Sequence, residues 1–344
     1  MTLSPLVVVA GGGGFIGGHL VKRLRVLGYR VRSVDIKPLE EWHQVHDFAT
    51  NVVADLSLAE EARKAVHGAA FVYNLAADMG GIGYIENFRA QCMLSVLINT
   101  HLLLASKDMG VRRYFYASSA CVYSSLCQSA PDAPALREDM AYPAMPEDGY
   151  GWEKLFSERM CRHFTEDFGL QTRVARFHNV YGPHGTWTGG REKAPAAICR
   201  KVAEAVTTGG TTIDIWGDGQ QTRSFMYVDD CVEGIIRIMG SDVCEPINLG
   251  SDELVTINEL ADLVADIAGV SLDRRYQLDA PKGVRGRNSD NTMIRAALGW
   301  EPSISLAGGL ARTYAWISDQ VNQHLDIVVP APHATSACYS TSES

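Results

Sequence analysis

A run of four glycines directly after the first apolar segment restricts the fold more than any other feature. Residues 6–10 (Leu-Val-Val-Val-Ala) are typical of a strand buried on both faces, and a helical pattern of apolar residues begins at Phe15. Between a strand and a helix, glycines allow a tight turn and let a pyrophosphate approach the helix N-terminus. The residues predicted to bind a dinucleotide here are Gly11, Gly14, Phe15, Ile16 and Gly17.

A carboxylate ends the second predicted strand, Val31–Asp35. At this distance from the glycines, Asp35 is expected to accept a hydrogen bond from the adenosine ribose and to repel a 2′-phosphate. The predicted cofactor is therefore NAD rather than NADP, although Lys37 close by works against that preference. Asp55 follows the third predicted strand and is either a ligand of the adenine edge or a solvated loop residue.

Predicted strands and helices alternate along the first half of the chain, which favours an α/β fold. The expected architecture is a Rossmann-type doubly wound parallel sheet with a smaller C-terminal substrate domain. We assign residues 1–177, rejoined by about 217–250, to the first unit, and 178–216 with 251–325 to the second. Residues 330–344 are rich in Ser, Thr, Ala and Pro and are expected to be disordered.

The predicted elements are spaced as such a fold requires. The expected strands are 6–10, 31–35, 51–54, 70–76, 114–118, 172–177, 213–216 and 246–249. The expected helices begin near Phe15 and continue at 90–107, 150–168, 194–206, 228–239, 257–268 and 306–320. Between them, 182–192 is a long glycine-rich loop and 284–291 is a charged turn.

The charge and the cysteines exclude several classes of protein. A formal net charge of -9 argues against a general nucleic-acid binder. The eight cysteines form no CxxC pair and no zinc-type spacing, which predicts reduced thiols and no metal site. No apolar run reaches the roughly 20 residues of a membrane helix, and the N-terminus has no signal-peptide pattern. A cytoplasmic protein that binds neither nucleic acid nor membrane is therefore expected.

A YxxxK motif, Tyr150-Gly151-Trp152-Glu153-Lys154, lies on a predicted helix. Positions i and i+4 share one helix face, so the phenol and the ammonium group are expected to be neighbours. A free phenol has a pKa of about 10, and a nearby cation favours the phenolate. Tyr150 is therefore predicted to take a proton from a substrate hydroxyl as hydride leaves its carbon, with Lys154 also holding the nicotinamide ribose.

The order and spacing of six segments resemble the extended short-chain dehydrogenase/reductase family over roughly residues 5–320. The resemblance implies that a nucleotide sugar binds between a Rossmann domain and a small C-terminal domain. It also implies a homodimer formed through helices near 90–107 and 150–168. The six segments are GGGGFIG (11–17), NLAA (74–77), YASSACVY (116–123), YGWEK (150–154), RFHNVYGP (176–183) and RSFMYVDD (223–230).

Longer stretches are similar to the members of that family that epimerise GDP-mannose. This resemblance implies conversion of GDP-D-mannose to GDP-L-galactose, and to GDP-L-gulose when C5 alone inverts. A ketone at C4 makes the protons on C3 and C5 acidic, so NAD takes hydride from C4 and later returns it. The stretches are AADMGGIGYIE (76–86), SSACVY (118–123), GTWTGGREKAPAA (185–197), WGDGQQTRSF (216–225) and GVRGRNSDN (283–291).

Proton exchange at C3 and C5 requires a base on one face of the sugar ring and an acid on the other. Cys121 is the candidate base because it follows the strand that ends at Ser119, at the edge where such sheets place their chemistry. A neighbouring cation would lower the pKa of its thiol. By resemblance, Lys193 in the glycine-rich loop is the acid, and Ser119 hydrogen-bonds the C4 oxygen.

Further residues are expected to bind the substrate. Arg223 and Arg287 are candidate diphosphate ligands because a guanidinium fork matches phosphate oxygens. Glu192 is a candidate to position a sugar hydroxyl. The other substrate ligands that the resemblance implies are Gly80, Ser119, Ala120, Cys121, Asn179, Lys193, Lys201, Gln221 and Thr222.

His184 departs from the pattern of the GDP-mannose enzymes, which tend to have an apolar residue there. It is similar to a histidine of the GDP-fucose synthases, which pairs with a cysteine. His184 therefore either supplements or replaces Lys193, or is a loop residue without a role. This leaves an NADPH-consuming 3,5-epimerase/4-reductase of GDP-4-keto-6-deoxymannose as the first alternative. A 4-epimerase, a 4,6-dehydratase and a non-catalytic NAD-binding protein are the others.

Overall fold

The computed structural model describes residues 4–280 and 283–328, so the tail 330–344 lies outside the described residues. Within those ranges the chain alternates between strands and helices. The strands are β1 (Leu6–Ala10), β2 (Arg30–Asp35), β3 (Thr50–Val53), β4 (Phe71–Asn74), β5 (Arg113–Ser119), β6 (Gln171–Phe177), β7 (Val180–Tyr181), β8 (Thr212–Trp216), β9 (Thr222–Ser224), β10 (Met226–Tyr227), β11 (Ile247–Leu249), β12 (Leu254–Thr256), β13 (Asp273–Gln277) and β14 (Gly286–Arg287).

The helices fill most of the connections between these strands. They are α1 (Phe15–Val26), α2 (Ala59–Val66), α3 (Ile82–Asn87), α4 (Arg89–Met93), α5 (Ser95–Asp108), α6 (Tyr150–Phe168), α7 (Ala194–Thr208), α8 (Val228–Gly240), α9 (Ile257–Ala268), α10 (Thr292–Leu298) and α11 (Leu306–Val328). No helix in the described ranges is long and apolar enough to span a membrane.

Seven strands form one parallel sheet in the order β3-β2-β1-β4-β5-β6-β11. In register, Val7 of β1 lies opposite Val31 of β2 on one side and Phe71 of β4 on the other. Strand order reverses at β1, and the loops after β1 and β4 therefore diverge and leave a crevice at the carboxyl edge. The predicted Rossmann-type doubly wound parallel sheet with a smaller C-terminal unit is confirmed.

The side chains of β1 explain why its sequence is apolar throughout. Val7 and Val9 pack into the core with Leu20 of α1, on the face that α8 also covers. Val8 and Ala10 point to the opposite face, into the core formed with α2, α5 and α6. Because successive residues of a strand point to opposite faces, a strand covered on both sides must be apolar at every position.

A smaller unit follows β6 and lies beside the carboxyl edge of the sheet. It contains a three-stranded sheet, β12-β9-β14, and a parallel pair, β13-β8. Ile198 of α7, Leu260 of α9 and Leu310 of α11 belong to the same buried cluster as Leu20. Since the two units share one core, the boundaries assigned from the sequence stay a prediction.

Several elements differ from the sequence-based expectation. The helix expected at 90–107 is interrupted at Leu94, which separates α4 from α5. The short helices α2, α3 and α10 were not expected, because two turns of helix give little periodic signal. The charged turn at 284–291 contains β14, whose pairing with β9 depends on a partner more than 60 residues away in the chain.

Candidate active site

The glycines after β1 form a turn that no larger residue fits. Gly11 has a φ of +80°, and a Cβ there would lie 2.9 Å from the backbone N of Ala76. A Cβ on Gly17 would lie 2.0 Å from the carbonyl oxygen of Gly11, so α1 begins in contact with the turn. Gly14 is the N-cap of α1 and has no side chain to cap it, which leaves the helix N-terminus open to an anion.

One cavity of about 650 Å³ runs from this turn across the carboxyl edge of the sheet. The residues that the sequence assigned to the cofactor all line it: Gly11, Gly14, Phe15, Ile16, Gly17, Asp35, Asp55, Tyr150 and Lys154. Of the predicted substrate residues, Gly80, Ser119 and Lys193 line the same cavity. The fold therefore places a dinucleotide cradle and a substrate pocket in one continuous space.

The charged residues at the end of β2 determine whether the cavity favours a ribose hydroxyl or a 2′-phosphate. Asp35 is buried at the end of the strand and accepts a hydrogen bond from the backbone N of Lys37 at 3.2 Å. The Lys37 amine donates instead to the carbonyl oxygens of Gly13, at 3.4 Å, and Glu41, at 3.5 Å. Asp35 and Lys37 both line the cavity, and the Lys37 amine, which worked against an NAD preference, is bonded to carbonyl groups.

Tyr150 and Lys154 occupy the first turns of α6, where both are buried. The Lys154 ammonium lies 5.3 Å from the centre of the Tyr150 ring and 3.5 Å from Oε2 of Glu153. Burial raises the pKa of Tyr150 well above its usual value, with Cys121 and Glu153 adding to the rise and a hydrogen bond from Ser119 opposing it. The phenol is therefore protonated in this state, and its activation to the phenolate stays a prediction.

Cys121 follows β5 in a short 3-10 turn, Ala120–Val122, and its backbone N donates to the Ser119 hydroxyl at 3.2 Å. It packs with Tyr150 in a small buried cluster beside the cavity. Burial raises the pKa of its thiol to about 11, Glu147 adds to the rise, and Arg287 opposes it. The thiol thus stands between one carboxylate and one guanidinium group, whose charges act on it in opposite directions.

Arg287, a predicted diphosphate ligand, lies beside the candidate base Cys121. Its Nη1 lies 3.8 Å from the sulfur of Cys121, its Nη2 bonds Oε1 of Glu147, and its Nε donates to Gln128 at 2.5 Å. Three sides of the guanidinium are therefore engaged next to the candidate base. This cation acts to lower the thiol pKa, but burial and Glu147 outweigh it in this structure, so the lowered thiol pKa expected from the sequence is not observed.

Lys193 is the N-cap residue of α7 and lines the cavity. Burial lowers the pKa of the Lys193 ammonium, while negative charge at Cys121 would raise it. The fold thus brings the two candidate proton-transfer groups near enough to affect each other's charge, although they are more than 70 residues apart in the chain. A lowered amine pKa suits a group that must donate a proton near neutral pH.

The other predicted substrate residues do not line the cavity. On the small sheet, Arg287 of β14 lies opposite Arg223 of β9, and Thr222 donates to Pro131 O at 2.5 Å. Burial, with Arg287 adding, lowers the pKa of Arg223 to about 9. The remaining contacts are Asn179 to Ser224 O at 3.1 Å, Gln221 to Trp216 O at 2.9 Å, Lys201 to Asp214 O at 2.6 Å, and Glu192 with Arg200 at 3.3 Å.

Residues 7–250 match the NAD dependent epimerase/dehydratase family. The chain belongs to this family. Two structural features agree with this membership. A glycine turn connects β1 to α1, and Tyr150 and Lys154 are buried on α6. Within the described residues, no cluster of His, Cys, Asp and Glu is arranged to hold a metal ion.

Relatives in this family share long stretches with the chain. It is 44% identical over 321 residues to GDP-mannose 3,5-epimerase 1 of Oryza sativa subsp. japonica, covering 92% of the chain and 82% of that protein. It is also 44% identical over 320 residues to GDP-mannose 3,5-epimerase of Arabidopsis thaliana, covering 92% and 83%. The crystal structure of UDP-glucose 4-epimerase from Thermotoga maritima with UDP-glucose superposes with a TM-score of 0.82 at 26% identity, covering 92% and 99%.

NAD is the cofactor of the epimerase/dehydratase family, and the residues present fit it. A Cβ at Gly11 or Gly17 would fill the turn. Because glycine has none, the backbone is accessible to a pyrophosphate. Asp35 at the end of β2 is positioned for a ribose hydroxyl. Tyr150 and Lys154 lie at the far end of the same cavity, where the nicotinamide ribose would reach them.

His184 does not join the two candidate proton-transfer groups. It is exposed, has a φ of +58°, and is absent from the residues that line the cavity. Its ring packs near His19, at 5.9 Å between ring centres, and near Trp316, at 5.3 Å. The observation that favoured a cysteine–histidine pair is therefore lost, and with it the argument for the reductase alternative.

Several residues that shape the site were not predicted from the sequence. Glu147 and Gln128, which hold Arg287, belong to no motif; Glu147 lies in a loop and Gln128 ends a short 3-10 turn. Asp78 and Arg191 line the cavity and bond each other at 3.2 Å. Their type and position become informative only once the fold brings distant loops together.

Proposed function

We propose that this protein epimerises GDP-D-mannose at C3 and C5, giving GDP-L-galactose, and GDP-L-gulose when C5 alone inverts. The observation that carries the proposal is that Lys193 lines the pocket that continues from the dinucleotide cradle, while Cys121 packs with Tyr150, which lines the same pocket. The two plant epimerases at 44% identity support the choice of GDP-mannose as substrate. The fit of the cradle to NAD supports a route through a C4 ketone.

Oxidation at C4 is assigned to the residues at the end of β5 and the start of α6. When bound, NAD would supply the acceptor for the C4 hydride and the hydride that restores C4. Tyr150, once deprotonated to the phenolate, would take the proton of the C4 hydroxyl and give it back at the end. Ser119, which hydrogen-bonds Tyr150, is positioned to hold the C4 oxygen, and the Lys154 ammonium stabilises the phenolate while the proton is away.

Inversion at C3 and C5 is assigned to Cys121 and Lys193. The Cys121 thiolate takes a proton from the carbon next to the ketone, and the electron pair of the C–H bond moves onto the C4 oxygen as an enolate. The Lys193 ammonium then delivers a proton to the opposite face of that carbon, so that its configuration inverts. Arg287 stabilises the thiolate, and the buried Arg223 remains a candidate for the diphosphate.

The test is incubation of the purified protein with GDP-mannose in deuterated water, with no reduced cofactor added. Deuterium at C3 and C5, together with new L-sugar signals in NMR spectra, is the expected result. The variant Cys121→Ala should lose this exchange by a factor of about 10² or more, because general base catalysis is removed. The matched control is Cys127→Ala, since Cys127 is a half-buried thiol outside the buried cluster that holds Cys121 and Tyr150.

The outcomes separate the proposal from its competitors. Full exchange in Cys121→Ala would contradict the assignment of the base. Deuterium at C5 alone would restrict the reaction to the gulose product. No exchange in the parent protein with NAD bound would contradict the proposed substrate, and turnover of a 4-keto-6-deoxy sugar with NADPH would then establish the reductase alternative.

A second copy of the chain is the proposed partner. Leu104 of α5 and Trp152 and Phe156 of α6 are each at least 41% exposed, and α5 and α6 pack side by side. An exposed apolar face across two adjacent helices is expected to be covered by an equivalent face in a symmetric dimer. Light scattering should give a dimer for the parent and a monomer for Phe156→Glu.

The cytoplasm is the proposed compartment. The seven cysteines in the described residues are free thiols, and five of them are buried. Reduced thiols are stable in a reducing compartment. A fluorescent fusion observed in the producing cells tests this placement, and a signal confined to a membrane-bound or oxidising compartment would contradict it.

A further inference from the structure

The glycine-rich loop that carries Lys193 is fastened to the segment after β4. Arg191 in this loop bonds Oδ1 of Asp78 at 3.2 Å. The Tyr84 hydroxyl donates to both oxygens of the same carboxylate, at 2.9 and 3.0 Å. The Arg191 guanidinium lies 3.7 Å from the centre of the Tyr84 ring, so each of the three side chains contacts the other two.

The main chains of the two segments are also in contact. The backbone N of Gly81 donates to the carbonyl oxygen of Arg191 at 3.1 Å. A Cβ on Gly81 would lie 2.9 Å from the Glu192 carbonyl oxygen, and one on Gly80 would lie 2.7 Å from Cβ of Tyr84. The absence of a side chain at Gly81 lets the loop approach this closely, and its absence at Gly80 leaves room for Tyr84.

Each of the last three residues of the loop, Arg191, Glu192 and Lys193, is fixed by a different contact. Arg191 is bound to Asp78, Glu192 is bound to Arg200 of α7 at 3.3 Å, and Lys193 caps α7 with its side chain directed toward the pocket. Asp78, Arg191 and Lys193 all line the cavity. The position of the Lys193 amine is therefore set by α7 on one side and by the contact with Asp78 and Tyr84 on the other.

We propose that Asp78, Tyr84 and Arg191 form a latch that closes the glycine-rich loop over the sugar and positions Lys193 opposite Cys121. All three are positioning residues, and the inference rests on the proposed epimerase function. The Arg191 and Asp78 side chains are 49% and 31% exposed, and a partly exposed ion pair is weak by itself. The latch can therefore open to admit substrate and close around it.

The first test separates proton exchange from C4 oxidation. In Arg191→Met and Asp78→Asn, deuterium incorporation from solvent should fall roughly tenfold to a hundredfold, because a small displacement of a reacting group has effects of this size. Transient reduction of bound NAD by GDP-mannose should persist, since Tyr150 and Lys154 lie on α6 outside the latch. The double variant should lose no more than the worse single variant, because both changes break the same contact.

The design includes graded and matched controls. Tyr84→Phe keeps the ring under Arg191 and loses only the hydroxyl bonds, so its effect should be smaller than that of Asp78→Asn. Arg63→Met removes an ion pair with Asp108 of the same length, 3.2 Å, and similar exposure, 48% and 41%, and should leave exchange unchanged. Raised KM with unchanged kcat in Arg191→Met alone, or additive losses in the double variant, would overturn the latch in favour of direct substrate binding.

A second measurement does not depend on the sugar. The Gly81 amide is bonded to the Arg191 carbonyl, so its hydrogen exchange reports whether the loop is closed. In the NAD-bound protein, Arg191→Met and Asp78→Asn should speed exchange of this amide at least tenfold over the parent, and Arg63→Met should not. Unchanged exchange in the two latch variants would overturn the latch, even if the protein acted on another sugar nucleotide.

Discussion

Arg287 holds Nη1 of its guanidinium 3.8 Å from the sulfur of Cys121 while its Nη2 bonds Glu147. Burial and Glu147 raise the pKa of the thiol, to about 11, and Arg287 opposes that rise. The pKa of Cys121 thus depends on burial and on two oppositely charged neighbours, Glu147 in a loop and Arg287 on β14, which are distant from each other in the chain.

This balance predicts the effect of removing the carboxylate. Glu147→Gln takes away a negative charge next to the thiol, and a nearby negative charge raises a thiol pKa, so the pKa of Cys121 should fall in the variant. The thiolate forms as pH rises through that pKa, and the rising limb of Cys121 alkylation should therefore move to lower pH. A pH series with iodoacetamide, read by mass spectrometry of the Cys121 peptide, measures the shift.

The neighbouring Asp148 provides the matched control. Its carboxylate pairs with Arg89 at 2.9 Å, and both side chains are more than half exposed. Asp148→Asn should leave the alkylation profile of Cys121 unchanged. A profile that moves to higher pH in Glu147→Gln would contradict the proposed balance, since it would mean that the loss of Glu147 had also displaced Arg287 from the sulfur.

Asp35 is expected to determine affinity for NAD. Its carboxylate lies at the end of β2 on the cavity wall, where it can accept from a ribose hydroxyl. Asp35→Ala should weaken NAD about tenfold or more, because a hydrogen bond to a charged group is lost. Titration of cofactor-stripped protein measures this. Lys37→Ala should change NAD and NADP binding little, since the Lys37 amine bonds Gly13 and Glu41; a large loss would contradict this reading.

Gly17→Ala should damage both the fold and the cradle. The added Cβ would lie 2.0 Å from the carbonyl oxygen of Gly11, so the turn or α1 must move. Overpacking of this kind destabilises by about 1–3 kcal/mol, and NAD should be lost on gel filtration. Gly240→Ala, at the end of α8 with no atom within 4 Å of the new Cβ, is the control and should retain both stability and NAD.

The buried ion pair between Arg176 of β6 and Glu158 of α6 is expected to affect the free energy of unfolding strongly when one partner is removed. Both side chains are 2% exposed, and they share two hydrogen bonds, at 2.8 and 2.9 Å. Glu158→Gln leaves a buried cation without its counter-charge and should lower the free energy of unfolding by about 3–5 kcal/mol in urea denaturation. Glu166→Gln breaks an exposed pair with Arg162 and should change it by less than about 1 kcal/mol.

Features encoded by neighbouring residues were predictable from the sequence. The run of residues 6–10, the glycines after it and Asp35 all depend on local chain geometry, and these elements lie where the pattern placed them. Tyr150 and Lys154 were predictable for the same reason, because a helix brings positions i and i+4 together. The doubly wound sheet followed from the alternation of strands and helices.

The tertiary structure decided which side chains meet. The role of Arg287 as a diphosphate ligand stays a prediction, and its position at the thiol of Cys121 follows from the pairing of β14 with β9. Glu147 lies in none of the motifs, and although Asp78 and Arg191 lie in two of them, neither motif indicates that these side chains meet. Such contacts join residues more than 100 positions apart, in loops whose paths are set by the packing of the whole core, so local periodicity contains no information about them.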